Sequence, residues 1–381
     1  MSDIDLAVSA SNELTRAWTA KVDFSQDTLI SGFSAWSLLA ALTVGATGPA
    51  RSELQAVTGV EEAPVPNELW AALDDVAVGF GLWVRNDLRI REAFAAALPA
   101  LTTGSIPADP VVLDRWVAAE TKDMITELPS VISPEILLVL ANVIALDVDW
   151  QLPFKPGAIW WAGEGPLLEG LQRQEPISHA AAIVKDGDQS ISRFVCRSTT
   201  GIDVHLVAGS KEDDPAAVLR TALRSLDQDV VITPATELSK GDDAGCLRVE
   251  HVAGDEDRIR VELPSFSVRD EHELTDEPAL FGIEAAMDAS DVHFFEISPE
   301  PLAIEKMVQL AFAQFNETGF RAAAVTMVVM PRGAAALPEG RCKQVSVVHD
   351  RPFGFVAVHR ATNLALFSGW VATPKACQPV D

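Results

Sequence analysis

A fold that combines helices and strands is what the sequence predicts, from three stretches whose apolar periods differ. Leu6, Ala10, Leu14, Ala17 and Trp18 recur at steps of three and four among polar neighbours, an amphipathic helix over residues 4 to 20. Ile136 to Leu146 is an almost unbroken apolar run, as expected for a strand covered on both faces. Val308, Leu310 and Phe312 alternate with Gln309, Ala311 and Ala313, the pattern of a half-buried strand.

Composition narrows the function. A chain of 381 residues at 48% hydrophobic can bury a large core, and length alone would suggest two or three domains. A formal net charge of −26 repels phosphate backbones and anionic lipid, which argues against nucleic-acid and membrane-surface partners. Met1 to Leu6 lacks a basic region ahead of an apolar core, so no signal peptide is read and a cytoplasmic location is expected. No apolar run reaches transmembrane length. Cys196, Cys246, Cys342 and Cys377 lack metal-ligand spacing and are expected to be free thiols, with no metal and no cofactor. The seven histidines are scattered, and no Gly-x-Ser-x-Gly elbow, phosphate-binding glycine loop or His-Glu-x-x-His is present, so no catalytic residue is assigned and the chain is not expected to be an enzyme.

Taken in order, Thr28 to Gly48 is a short strand, a serine-capped start and a buried helix ending at glycine. Leu113, Trp116, Val117, Thr121, Met124, Ile125 and Leu128 have helical spacing from Val111 to Leu128. A break from Pro129 to Pro134 leads into the apolar strand and on to Asp149-Trp150-Gln151-Leu152-Pro153-Phe154. Residues 155 to 260 are turn-rich and acidic, with helix signal near Ala216 to Leu226 and strand signal at Val204 to Val207. Ile259 to Val268 is an alternating strand interrupted by Pro264. After the strand at 308, Asn316-Glu317-Thr318-Gly319 is a polar break, followed by Phe320, Arg321, three alanines and an apolar β-prone run to Pro331 and Arg332. Small side chains bury at little cost and impose little shape, so this backbone could be exposed in one state and inserted in another.

The stretch from Ile304 to Arg332, with Asp350-Arg351-Pro352-Phe353-Gly354-Phe355 and Leu366-Phe367-Ser368-Gly369-Trp370-Val371 after it, resembles the hinge, reactive-centre loop and closing strands of the serpin superfamily. Thr28 to Gly48 and Asn142 to Phe154 are similar to further serpin segments, and Leu280-Phe281-Gly282-Ile283 resembles a serpin turn. The resemblance covers roughly two thirds of the chain, and 155 to 260 is the gap. It implies one α+β domain over 1–381, with a large mixed central sheet, additional sheets, about eight or nine helices, and an exposed loop at about 319–344. It implies a hinge of Glu317, Gly319, Phe320, Ala322, Ala323 and Ala324. It also implies a cluster beneath and atop the sheet of Ser31, Ser34, Asn142, Trp150 and Gln309, the last standing where the family places a histidine.

The activity implied is inhibition of a trypsin-like or subtilisin-like serine protease by a monomer acting as a suicide substrate. The reactive bond by family spacing is Arg332-Gly333, with Arg341-Cys342 as a second candidate. Family members also work outside cells, so an extracellular location stays open. If the loop enters the sheet, Phe320, Ala322, Ala324, Thr326, Val328 and Met330 share the buried face and none is charged. About a dozen new strand residues could release on the order of 10–20 kcal/mol. The alternative is a non-inhibitory serpin-fold binding protein whose loop is cleaved without trapping the protease. It is favoured by Phe320, large where the family has a small residue, by Gln309 and by the divergent middle.

Overall fold

The computed structural model describes residues 2–61, 64–73, 76–109, 111–121, 123–127, 137–162, 165–227, 230–288, 290–320 and 340–374. The chain opens with α1 (Asp3–Thr19), whose capping box uses Ser2 and Asp5, then β1 (Thr28–Ile30) and α2 (Gly32–Gly45). Helices α3 (Gly48–Thr58) and α4 (Pro64–Ala71) precede β2 (Ala77–Val84), α5 (Glu92–Ala97), β3 (Leu101–Ser105), α6 (Val111–Glu120), β4 (Leu138–Ala145) and β5 (Val148–Asp149). The middle holds β6 (Lys155–Trp160), β7 (Leu167–Pro176), β8 (Ala181–Asp186), β9 (Gln189–Cys196), β10 (Ile202–Ala208), α7 (Pro215–Arg224), β11 (Val231–Pro234), β12 (Asp243–Ala244) and β13 (Leu247–Ala253). Then come β14 (Arg258–Pro264), β15 (Phe266–Glu273), α8 (Pro278–Phe281), β16 (Val308–Phe315), β17 (Gly319–Phe320), β18 (Arg341–Val348), β19 (Phe353–His359) and β20 (Leu364–Val371).

Three sheet systems result. The central sheet lies in two ladders, β3-β2-β4 and β15-β16-β17-β5, which meet along one line because β5 continues β4 after residues 146–147. Its β2–β3 pair is parallel and the other pairs are antiparallel, so the sheet is mixed. A seven-stranded antiparallel sheet, β1-β20-β19-β10-β9-β8-β11, supplies the second layer. A six-stranded sheet, β12-β13-β18-β14-β7-β6, is the third. Phe266, Phe315, Phe320 and Phe355 join the central sheet to β19 through ring contacts.

Local sequence explains the central helices. Every residue of α2 except Val44 is buried, which its apolar composition allows only because it lies beneath the sheet rather than at the surface. Gly32 begins this helix because a Cβ there would lie 2.1 Å from Thr15 Oγ1, so glycine permits the close crossing of α1 and α2. The expectation of a strand covered on both faces holds for β4. Leu138, Leu140 and Ile144 join the main core, while Ala141 and Val143 pack with α6 residues Leu113 and Val117.

Two elements differ from the periodic reading. Helix α6 ends at Glu120, short of the Val111 to Leu128 span, because Asp123 takes a left-handed φ of 63° and Thr121 Oγ1 accepts from the Ile125 N–H. Ile125 still packs with Val117 and Leu310, which is why the apolar spacing outlasts the helix. Strand β16 is covered on both faces rather than one. Its more deeply buried set includes Gln309, Ala311 and Ala313, while Leu310 and Phe312 pack with the α6 side.

Buried histidine makes the fold sensitive to acid. Neither ring nitrogen of His349 has a hydrogen-bond partner among the described residues, and the ring packs on Phe353 at 4.8 Å. Burial, with Arg351 nearby, lowers its pKa from 6.5 to about 3. The unfolded chain therefore binds this proton before the folded form does, so stability falls as pH drops below 6.5 toward about 3. His349→Phe keeps the ring and removes the titration. Urea unfolding followed from neutral to mildly acidic pH is expected to show a shallower loss of stability in the variant, by up to about 1.4 kcal/mol per pH unit.

Candidate functional site

The site is a slot between β5 and β16, and it begins with a turn. Asn316 Oδ1 accepts from the N–H groups of Thr318 and Gly319, both at 3.0 Å, reversing the chain straight after β16. The returning Gly319–Phe320 segment lies antiparallel to both neighbours, with Phe320 opposite Phe315 on one side and Val148 on the other. A Cβ on residue 319 would sit 2.0 Å from the Val148 carbonyl oxygen, so only glycine lets the backbone come this close. Phe320 is 1% exposed, with its ring 6.3 Å from Phe315 and 5.9 Å from Phe355. Among the described residues no backbone ladder joins β16 to β4 below this point, although the two strands pack together under α6.

Trp150 ties the turn to β5. Its indole N–H donates to the Asn316 carbonyl at 3.0 Å, its backbone N–H donates to Thr318 at 2.8 Å, and its ring lies 4.7 Å from Phe315. The Phe154 N–H donates to the Glu317 carbonyl at 2.8 Å, so the turn is held from two points of one segment. Beside it, Arg173 donates from Nη1 to the Leu152 carbonyl at 2.6 Å and stacks on Phe154 at 4.5 Å. Its partner Glu175, 3.0 Å away, is raised above the usual carboxylate range by burial, with Arg173 opposing the shift.

Beneath the slot the polar groups are buried and uncharged. Ser31 Oγ caps α2 by accepting from the Ser34 N–H at 3.0 Å and donates to the Leu366 carbonyl at 2.6 Å. The Gln309 amide pairs twice with the Ser31 backbone, accepting its N–H and donating to its carbonyl, both at 2.8 Å. No hydrogen bond between Gln309 and Asn142 is present among the described residues. Asn142 donates to the Ser34 carbonyl at 3.0 Å, and its buried Oδ1 has no partner among the described residues. The reason is geometric: the Gln309 amide matches the paired donor and acceptor of one residue's backbone.

Ser31, Ser34, Asn142 and Gln309 thus gather at one level of the sheet, and Trp150, Glu317, Gly319 and Phe320 at its top. Ala322, Ala323, Ala324, Arg332 and Gly333 lie outside the described residues. The second candidate bond, Arg341-Cys342, opens β18, where Arg341 faces Ala253 and Cys342 faces Val252. The loop span of 319–344 therefore begins in β17 and ends inside β18. The sequence reading missed Asn316 as the hub of the turn, although an Asn followed by Thr and Gly was the signal available. Among the described residues there is no acidic, His or Cys cluster able to hold a metal, Cys196, Cys246 and Cys342 are free and buried, and no helix is long and apolar enough to cross a membrane.

Comparison with known proteins places this geometry. The family model described as serpin (serine protease inhibitor) matches residues 6–159 and 248–374. Serpin B6 of Macaca fascicularis is 24% identical over 277 residues, covering 69% of this chain and 65% of the relative, so the chain spans just under two thirds of that protein. Putative serpin-Z12 of Oryza sativa subsp. japonica is 25% identical over 370 residues, covering 91% of this chain and 85% of the relative. Native protease nexin-1, solved with heparin, superposes with a TM-score of 0.72 at 20% identity, covering 98% of this chain and all of the other. Human thyroxine-binding globulin complexed with thyroxine gives a TM-score of 0.74 at 15% identity, with 98% of this chain and all of the other covered. At such identities these two structures establish the fold alone.

Replacing Gln309 with leucine leaves the buried Ser31 N–H unpaired, while the Ser31 carbonyl keeps the Ala35 N–H. Urea unfolding is expected to show a loss of about 1–3 kcal/mol, above the effect of an ordinary surface substitution.

Proposed function

The chain belongs to the serpin family, and from that premise we propose that it inhibits a serine protease by offering its loop as a substrate and then inserting the cut segment between β5 and β16. Members of this family are generally protease inhibitors rather than enzymes, and no residue of the chain itself needs to be catalytic. The carrying observation is the seating of Gly319 and Phe320 between two strands in antiparallel register.

That register extends without a break in arithmetic. Phe320 faces Val148, so each residue further along the loop faces one residue further back, and Met330 would face Leu138, the first residue of β4. The even-numbered side chains then point inward with Phe320: Ala322, Ala324, Thr326, Val328 and Met330, none charged. Thr326 would stand opposite Asn142, whose Oδ1 is the acceptor left open by the Gln309–Ser31 pairing. A threonine hydroxyl is the donor that acceptor lacks.

The chemistry is that of the target protease. Its serine Oγ attacks the carbonyl carbon of Arg332, the bond to Gly333 breaks, and the Gly333 nitrogen leaves as an amine carrying the proton relayed from that serine. The ester holds the protease to the segment that inserts. Insertion carries it from the top of the sheet and distorts its oxyanion hole before water can complete the turnover. Arg332 suits a pocket whose carboxylate pairs with guanidinium. Arg341-Cys342 is the weaker candidate, since a bond inside a ladder strand is not free to enter a protease cleft. We take the acting species to be a monomer, working inside or outside the cell.

The second reading, a non-inhibitory binding protein of the same fold, is favoured by Phe320. A bulky first residue, already buried, leaves less for later insertion to gain and could slow it. Incubation with trypsin-like and subtilisin-like proteases, followed by denaturing gels, separates the two readings. An adduct of chain plus protease is expected, whereas a cut chain alone supports the binding protein. Arg332→Ala is expected to slow adduct formation with a trypsin-like protease by about a hundredfold or more while sparing a subtilisin-like one. Thr326→Val is expected to reduce the stability gained on loop cleavage by about 1–3 kcal/mol, measured by denaturant unfolding of the cleaved forms.

A further inference from the structure

We propose that β13 is a latch that holds β18 in place and so prevents the uncut loop from inserting. The inference rests on the loop-insertion reading above and adds the condition under which insertion is allowed. β18 is where the far end of the loop is anchored, and it is not an edge strand. On one side it runs parallel to β14 from Gln344 to Val348. On the other it pairs antiparallel with β13 along its length, from Arg341 opposite Ala253 to Val347 opposite Leu247. The antiparallel ladder is the better hydrogen-bonded of the two geometries, and without β13 the outer edge of β18 would be open.

Side chains reinforce the pairing at the end the loop would pull. Lys343 donates from Nζ to the carbonyls of Ala235, Leu238 and Thr236 at 3.0, 3.1 and 3.4 Å, using all three of its protons. Its backbone N–H donates to Asp257 Oδ1 at 2.6 Å. The Gly254 N–H donates to the Gly340 carbonyl at 3.0 Å, and Arg258 Nε donates to Gln344 Oε1 at 2.8 Å. The turn after β11, β13 and the 254–258 turn therefore all hold the first residues of β18.

Chain length makes this placement consequential. A full descent from Phe320 to Met330 beside β4 is ten steps, about 33 Å at ~3.3 Å per residue. The eleven steps from Met330 back to Arg341, stretched to the limit, span about 36–40 Å. An uncut loop therefore has only a few ångströms with which to round the sheet and return to Arg341, so full insertion pulls on the start of β18 and favours stripping its first residues. Cleavage removes the tether and leaves β18 where it is. The latch thus opposes the uncut route and leaves the cut route unhindered.

The test compares intact protein with Lys343→Ala, Glu250→Pro and His251→Pro, incubated without protease below the unfolding temperature. Adjacent residues of a strand direct their N–H groups to opposite edges, so only one of the two prolines removes a bond to β18 and the other is its control. Conversion is read as loss of loop cleavage on later protease addition together with a rise in melting temperature. Lys343→Ala and one proline variant are expected to convert at least tenfold faster than the intact wild type. Equal rates in folded variants overturn the latch. Hydrogen exchange on the wild type keeps the test independent of variants: β18 amides are expected to be as protected as those of β19, and exchange a hundredfold faster would overturn it. The cleaved wild type is the control for the underlying reading. If it gains stability while the variants convert no faster, the latch alone is wrong; if it gains none, insertion and latch fall together.

Discussion

Two residues paired on both sides set the terms for the rest of the molecule. Gly319 and Phe320 occupy the top of a gap between β5 and β16, and below them, among the described residues, no backbone ladder joins β16 to β4. A strand edge flanked by packed neighbours but lacking hydrogen-bond partners is a source of free energy waiting for a strand of the right length. On the insertion proposal, the chain carries that strand in its own next segment. Asn316 makes the reversal, Gly319 permits the close approach, and Trp150 and Phe154 hold the turn to β5, so on that proposal the segment is aimed before it moves.

The layers beneath serve the same end. α2 is buried along almost its whole length and presents Ser31 and Ser34 at the level where β16 and β4 pass. Gln309 holds Ser31, and Asn142 holds Ser34, so each of the two strands is fastened to the helix rather than to the other. Strands fastened separately to a common base can part without unfolding the base. On the opposite face Val117 of α6 and Ile125 beyond its end pack on Val143 of β4 and Leu310 of β16, and the short length of α6 leaves that cover a local one.

Much of this was legible in the sequence because it is local. The serine cap of α2, the apolar run of β4, the alternation of β16 and the glycine-ended break at 316–319 each occupy a few consecutive residues whose chemistry fixes the backbone. What was not legible depended on distant partners. Gln309 has no sequence signal pointing to Ser31, and the periodic spacing through Ile125 concealed the end of α6 because Thr121 and Asp123 stop the helix without taking Ile125 off the same face. The span from 155 to 260 looked shapeless because strands such as β7 and β13 are half-exposed, and because inward positions such as Arg173 and Glu175 carry a paired charge instead of an apolar side chain. That span proves to hold most of two sheets and the strand that closes the outer edge of β18.

The central claim is positional, so a crystal structure of the loop-cleaved protein tests it most directly. The account predicts residues 321–330 as a strand running antiparallel between β16 and β4, with Phe320 still opposite Val148, Thr326 opposite Asn142 and Met330 opposite Leu138. A cut segment lying outside the sheet, with β16 and β4 unchanged, would contradict it.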